Sequence, residues 1–271
     1  MSDVFGDRMK KYEQIEAGRI FLPNLPILVR IDGKGFSKYT KKLNKPYDIR
    51  FSDIMINVTK FLVKQTNACI GYTQSDEITL VLYAKELNQE IFFAGKIQKM
   101  VSVISSMATA KFNQLAMNEL PQDLVHEIAF FDCRVWQLPN KTEAANAVYW
   151  REVDATKNSI STATRAYYTA SEIHLKNSIQ KKEMLMDKGI NWNDYPNFFK
   201  YGTFVATRSI KKSFTEEELS KIPKRFIPSL PVMRNEVIEL DMPPFGTVKN
   251  REQVIFDGEL PNITCKQYYC C

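Results

Sequence analysis

Residues 1–21 place Met9, Tyr12, Ile15 and Glu16 at three- and four-residue spacing, which predicts a helix that Pro23 and Pro26 end. Leu25–Ile31 is a short apolar run rich in branched side chains and predicts a buried strand, ending at Asp32-Gly33-Lys34-Gly35-Phe36. Residues 37–48 read as a lysine-rich loop. From Asp48 to Gln65 the apolar positions Phe51, Ile54, Met55, Val58, Phe61 and Leu62 return at helical spacing. Ala68–Tyr72 and Glu77–Tyr83 predict two strands joined by a polar turn at Thr73–Asp76, a β-hairpin. A long helix follows from Ile91 to about Asn118, which Pro121 stops, and Ile128–Leu138 predicts a fourth strand.

Strand, helix, strand, strand, helix, strand is the split βαβ, ferredoxin-like order. It predicts the α+β class: a two-layer βαββαβ unit with an antiparallel sheet, over roughly 22–138. Pro139-Asn140-Lys141-Thr142 supplies a turn and an N-cap for a helix over about 142–168. Asn177 or Ser178 caps another helix that ends at Gly189, and Tyr201–Thr207 reads as a strand. Beyond Ser213 the chain is proline-rich. Its segments Leu230-Pro231-Val232-Met233, Met242-Pro243-Pro244-Phe245 and Val254-Ile255-Phe256 are apolar enough to pack on a core. The expected organisation is a ferredoxin-like unit at 1–140, a helical and strand elaboration at 141–212 and a C-terminal extension at 213–271.

Composition narrows the chemistry. The 271 residues suffice for a full core without disulfide or metal staples. With two histidines, His126 and His174, a site needing several imidazoles is excluded, and each is read as making simple hydrogen bonds. The five cysteines (Cys69, Cys133, Cys265, Cys270, Cys271) show neither a disulfide framework nor paired zinc spacing, which points to a reducing cytoplasm. The N-terminus is charged from its third residue and predicts no signal peptide. The longest apolar runs, five or six residues, predict no membrane span, which takes about 20. A net charge of +6 suits a polyanionic partner without diagnosing one.

In a split βαβ sheet the first strand and the hairpin lie side by side, so Asp32 and Asp76 become neighbours. Two carboxylates that close repel unless a cation joins them or one takes a proton. Mg²⁺ is the natural cation: hard, oxygen-seeking and usually held by one or two carboxylates plus substrate phosphates. Two such ions about 3.5–4 Å apart stabilise the attacking and leaving oxygens of nucleotidyl transfer. Gly33 and Gly35 let the backbone approach phosphates. Separately, Asp-Gly and Ser-Asp-Glu are ordinary turn sequences; their placement on adjacent strands carries the metal reading. Lys34, Lys38, Lys41, Lys42 and Lys45 precede Asp48 without an intervening acid, as a grip on triphosphate or a solvated loop. Lys96 and Lys99 read as a phosphate contact or a solvated helix face. Arg151, Asp154, Asn158, Ser161 and Arg165 form one polar stripe. That stripe is a solvent face, a surface for RNA phosphates or a subunit contact. Tyr167 and Tyr168 either stack on bases or pack inside.

The motifs resemble the tRNA-histidine guanylyltransferase family, and most closely its guanylyltransferase-like, 3′–5′ polymerase branch. The matching pieces are Val29-Arg30-Ile31-Asp32-Gly33-Lys34-Gly35-Phe36, Lys45-Pro46 with Asp48, and Gly71-Tyr72-Thr73-Gln74-Ser75-Asp76-Glu77. Phe131-Asp132-Cys133-Arg134-Val135, Trp150-Arg151-Glu152-Val153-Asp154 and Lys200-Tyr201-Gly202-Thr203 follow in the family's order, over residues 5 to 210 or so. The resemblance implies a palm fold using two Mg²⁺, with ligands Asp32, Asp76 and the Gly33 carbonyl. It implies that the backbone of Gly33, Lys34, Gly35, Phe36 and Ser37, together with Ser75, holds the nucleotide. Lys45, Asp48, Lys96 and Lys99 would serve the activating nucleotide and triphosphates, with ATP or GTP as substrates. The polar stripe would then offer Arg151, Asn158 and Arg165 to tRNA. The implied activity is addition of nucleotides to the 5′ end of tRNA in the 3′–5′ direction, by a homotetramer, as is common in the family. Members that add one guanosine to tRNA-histidine carry His-Ile-Asn-Asn-Leu-Tyr-Asn after the Trp-Arg motif. Here Ala155-Thr156-Lys157-Asn158-Ser159-Ile160-Ser161 keeps one asparagine in place, so of the two implied outcomes, repair of 5′-truncated tRNA and guanosine addition to tRNA-histidine, it favours templated repair. Other palm chemistry, cyclisation or 5′–3′ polymerisation, and a non-catalytic RNA-binding module are the alternatives.

Overall fold

A computed structural model describes residues 3–86, 89–121, 124, 127–212, 215, 219–221, 223 and 232–263. His126, Leu230, Pro231, Cys265, Cys270 and Cys271 lie outside the described residues. The sheet has six strands: β1 (Ile27–Gly33), β2 (Ile70–Gln74), β3 (Glu77–Leu82), β4 (Phe131–Gln137), β5 (Thr203–Lys212) and β6 (Val232–Glu239). Their order is β4-β1-β3-β2-β5-β6 and each neighbouring pair is antiparallel. The first four strands are arranged as the split βαβ pattern predicts. β5 and β6 extend that sheet past β2, so part of the expected C-terminal extension completes the sheet. β6 escapes prediction because its residues are mostly exposed and lack the in-out alternation of a half-buried strand.

Alternate residues of β1 serve opposite faces. Ile27, Val29 and Ile31 meet α3 (Ile49–Thr66) and α4 (Ile97–Glu119) through Ile54, Leu62, Ile104 and Phe112, all buried. Leu28 points the other way, to a cluster that α5 (Lys141–Arg165) and α8 (Arg251–Phe256) close with Ala144, Val148, Phe245 and Ile255. The two-layer unit thus gains a third layer. A smaller cluster gathers α6 (Ser178–Asp187) and α7 (Asn197–Tyr201) around Trp192, with Ile160, Ala163, Leu185 and Phe199.

Local signals set most boundaries. Asp48 caps α3 and Asn177 caps α6 with a reciprocal capping box to Gln180. Asn140 caps α5, accepting from the Glu143 N–H at 2.8 Å. The lysine-rich loop instead folds into α2 (Phe36–Tyr39) and a 3₁₀ turn, Thr40–Lys42. α4 starts later than its apolar spacing predicts because Phe93 and Ala94 adopt positive φ (53° and 51°), which no α-helix continues through. In α1 (Val4–Ala17) no residue is buried, so Met9, Tyr12 and Ile15 keep helical spacing without docking on this chain. Among the described residues no helix is long and apolar enough to cross a membrane.

Candidate active site

The C-terminal end of β1 carries Asp32 into a polar crossroads. Its register partners are Glu77 on β3 and Asp132 on β4. Asp76, at the tip of the β2–β3 hairpin, is tied to β1 by its carbonyl, which accepts the Gly33 N–H at 3.2 Å. The two carboxylates expected to be neighbours are therefore held by one backbone bond between their strands. Burial pushes the Asp76 carboxyl up to about 6, and the charge of Asp32 pushes it the same way. The Ser75 hydroxyl donates to Asp76 Oδ1 at 3.1 Å, with Ser75 at φ 53°.

These groups floor a cleft of about 970 Å³. Its walls are the Gly33–Ser37 turn, the 43–48 segment, the hairpin tip and the face of α5 with Asp154, Asn158, Ser161 and Arg165. Gly33 is required locally, since a Cβ there would lie 2.3 Å from the Phe36 ring. Gly35 has φ +70° and starts α2 in the left-handed region, where glycine carries no penalty. The Phe36 ring is itself core, packed on Tyr39, Phe51, Phe112 and Phe131 with centroids 5.0–5.9 Å apart. Only its backbone is left to face a ligand. Lys45 lines the cleft and donates Nζ to the Thr40 carbonyl at 2.9 Å.

Asp48 lines the same cleft. Its carboxylate is buried and accepts from Asn44 N (3.2 Å), Arg50 N (3.1 Å) and the Arg50 guanidinium (3.0 and 2.7 Å). The hydrogen bond from Arg50 holds its pKa below the usual range. It shapes the loop that presents Lys45.

Two expectations are corrected by topology. Lys96 and Lys99 do not reach this cleft. The Lys96 segment bridges Ile20, just before β1 begins, so both lysines stand at the opposite end of the sheet from Asp32. They line a separate cavity of about 330 Å³ with Glu90, Ile91, Phe93 and Ala94. Arg151 is not free for tRNA. Its side chain is 8% exposed, forks onto Glu77 (Nε–Oε1 2.6 Å, Nη2–Oε2 2.7 Å) and also reaches Asp154 at 2.8 Å. Asn158 and Arg165 do face the cleft. Lys34 is exposed beside it, its N–H donating to the Phe130 carbonyl at 2.8 Å. Tyr167 is exposed, Tyr168 donates to the Met184 carbonyl at 2.6 Å, and His174 is exposed.

Sequence reasoning missed the cations that balance the acids. Arg134 lies 3.8 Å from Asp32 and 3.3 Å from Asp132. It sits two residues after Asp132 on one strand, a period-2 signal that the motif Phe131–Val135 contains. Glu77 belongs to the hairpin motif, but its tie to Arg151 is a contact across 74 residues. Among the described residues no group of three or more His, Cys, Asp or Glu is arranged to hold a metal. The donor set here is two carboxylates and a backbone carbonyl, which suits a hard cation that completes its shell with phosphate and water.

A family model described as Thg1, tRNAHis guanylyltransferase, matches residues 6–139. An uncharacterized protein of Acanthamoeba polyphaga mimivirus is 31% identical over 233 residues, 78% of this chain and 80% of that one. The tRNA(His) guanylyltransferase of Schizosaccharomyces pombe is 28% identical over 226 residues, 78% of this chain and 83% of that one. A bacterial tRNA(His) guanylyltransferase (Thg1)-like protein in complex with GTP superposes with a TM-score of 0.71 at 31% identity, covering 94% of this chain and 100% of that one. Another, in complex with ATP, gives 0.70 at 36% identity, over 75% and 87% of the two chains. The palm sheet, the carboxylates at its centre and these matches along most of the chain together place the protein in the Thg1, tRNAHis guanylyltransferase, family of nucleotidyltransferases.

Proposed function

We propose that the protein adds nucleotides to the 5′ end of tRNA in the 3′–5′ direction, filling 5′-truncated ends against the opposite strand as template. The observation that carries this reading is the pair Asp32 and Asp76, locked side by side through the Gly33–Asp76 backbone bond at the floor of a cleft about 970 Å³ in volume. A tRNA end, a nucleoside triphosphate and an activating ATP or GTP are the substrates. In the first step a 5′-monophosphate attacks the α-phosphorus of ATP or GTP and pyrophosphate leaves. In the second the 3′-hydroxyl of the incoming triphosphate attacks the activated 5′-phosphorus and AMP or GMP leaves. An end that already carries a 5′-triphosphate enters at the second step and releases pyrophosphate.

The Asp32 and Asp76 carboxylates and the Gly33 carbonyl would hold Mg²⁺, in two ions, which supplies charge stabilisation at the attacking and leaving oxygens. The raised pKa of Asp76 fits this donor set, because two crowded carboxylates gain most from a shared cation. The backbone of the Gly33–Ser37 turn and Ser75 cradle the nucleotide, Lys45 faces its phosphates, and Asn158 and Arg165 approach the RNA. We read residues 1–140 as the catalytic unit, with 141–212 and 213–271 built onto it. We assign the protein to the cytoplasm and to a homotetramer.

The test supplies a 5′-truncated, 5′-monophosphorylated tRNA with ATP and each triphosphate, and maps the added residues. Templated addition is expected. Asp76→Ala lowers addition on the order of 100-fold or more while tRNA binding persists. Unchanged turnover in that variant, or a cyclic nucleotide formed without RNA, overturns the reading.

A further inference from the structure

We infer that Trp150 is a stacking platform for a nucleobase at the RNA end that enters the cleft. The inference rests on the proposed RNA substrate and names a binding position for it. Tryptophan side chains usually go into the interior or an interface. Trp136 and Trp192 follow that rule by packing against hydrophobic clusters, whereas Trp150 joins none of them and is 52% exposed. Yet two arginines stand over its ring. The Arg151 guanidinium lies 4.4 Å from the ring centroid and that of Arg30 5.8 Å.

Each arginine contributes differently. Arg151 is clamped by Glu77 and Asp154, so it backs the indole without carrying a spare charge. Arg30 pairs with no carboxylate among the described residues, and its buried Nε has no hydrogen-bond partner. It also lines the cleft. An exposed indole beside an unneutralised arginine offers a π-face for a base and a positive charge for its phosphate, the pairing that single-stranded RNA sites use.

Position supports the assignment. Arg30 and Asp32 share one face of β1 two residues apart, about 7 Å. That is close to two base steps of about 3.4 Å. Trp150 is not itself part of the cleft wall; Arg30, which stands over its ring and lines that wall, joins the two, so a base held on the indole lies at the edge of the cleft rather than in the nucleotide cradle. A protein partner would instead be expected to bury an apolar patch, whereas this exposed ring has two arginines over it.

The probe is a 5′-monophosphorylated RNA hairpin lacking its first 5′ residue, with its template nucleotide unpaired. In the full-length protein this RNA quenches tryptophan fluorescence, and Trp150→Phe removes most of the quench. Trp150→Ala raises the Kd for the hairpin about 10-fold, leaves the KM for the incoming triphosphate unchanged, and Trp150→Phe recovers most of the affinity. An unchanged Kd in Trp150→Ala overturns the inference, as does a Phe variant that binds RNA as poorly as Ala. A changed sedimentation coefficient with unchanged Kd also overturns it, in favour of a subunit contact. If the wild type binds the hairpin but extends no RNA, the proposed function fails while the binding comparison still decides on Trp150.

Discussion

Replacing Arg151 with Met should uncouple the catalytic hairpin from α5. The substitution keeps much of the side-chain stem and deletes a guanidinium that makes two bonds to Glu77, at 2.6 and 2.7 Å, and one to Asp154 at 2.8 Å. Exposure decides the magnitude. Asp154 is 42% exposed and rehydrates at little cost, so its share resembles a surface pair, about 0–1 kcal/mol. Glu77 is 19% exposed and Arg151 8%, so deleting the cation leaves a largely buried carboxylate without compensation. That class of change costs about 3–5 kcal/mol. The stranded charge lies opposite Asp32 and next to Asp76, so it is relieved by protonation or by movement of the hairpin tip. Urea denaturation of Arg151→Met, Glu77→Gln and the double variant measures the effect. We expect a loss of about 3 kcal/mol for Arg151→Met and a coupling of about 2 kcal/mol in the cycle, because the double variant strands no charge. Arg151→Lys should fall in between, since an ammonium cannot fork onto both oxygens. A loss below about 1 kcal/mol, or simple additivity, would refute the argument that Arg151 holds the hairpin.

Two further predictions concern the turn and the C-terminal segment. Gly33→Ala forces a methyl to 2.3 Å from the Phe36 ring, which is itself locked in an aromatic cluster. Overpacking there should cost about 1–3 kcal/mol and most of the nucleotide addition, and a variant with wild-type Tm and turnover would refute it. Glu152 is buried and accepts the N–H groups of Phe245 and Gly246 at 2.7 and 3.3 Å, while burial lifts its carboxyl from 4.5 to about 7. Between those values the unfolded chain releases a proton that the folded chain keeps, so stability is lost as pH rises. The loss is on the order of 3 kcal/mol above pH 7. Glu152→Gln should flatten the fall in Tm between pH 5 and 8; parallel Tm–pH curves for the two proteins would exclude Glu152 as the cause.

What was legible in the sequence was local or periodic. β1 announces itself as a short run of apolar, branched residues and α3 by apolar positions returning at about 3.6 residues, and Asn140 and Asn177 mark helix starts because a cap is a contact within two or three residues. The pairing of Asp32 with Asp76 followed from connectivity, since a split βαβ sheet has few ways to place its strands. Expectations failed where the deciding contact spans the chain. The apolar and basic spacing near residue 96 is helical, yet only the sheet's direction shows that Lys96 and Lys99 stand at the far end from Asp32. Arg151 looks like a member of an exposed stripe until Glu77, 74 residues away, takes it inward. The sequence by itself determined the palm core and its two central acids, through side-chain period and chain connectivity. Tertiary structure alone decided which of the acids around the cleft are balanced by cations, because charge compensation depends on distance in space and burial rather than on position along the chain.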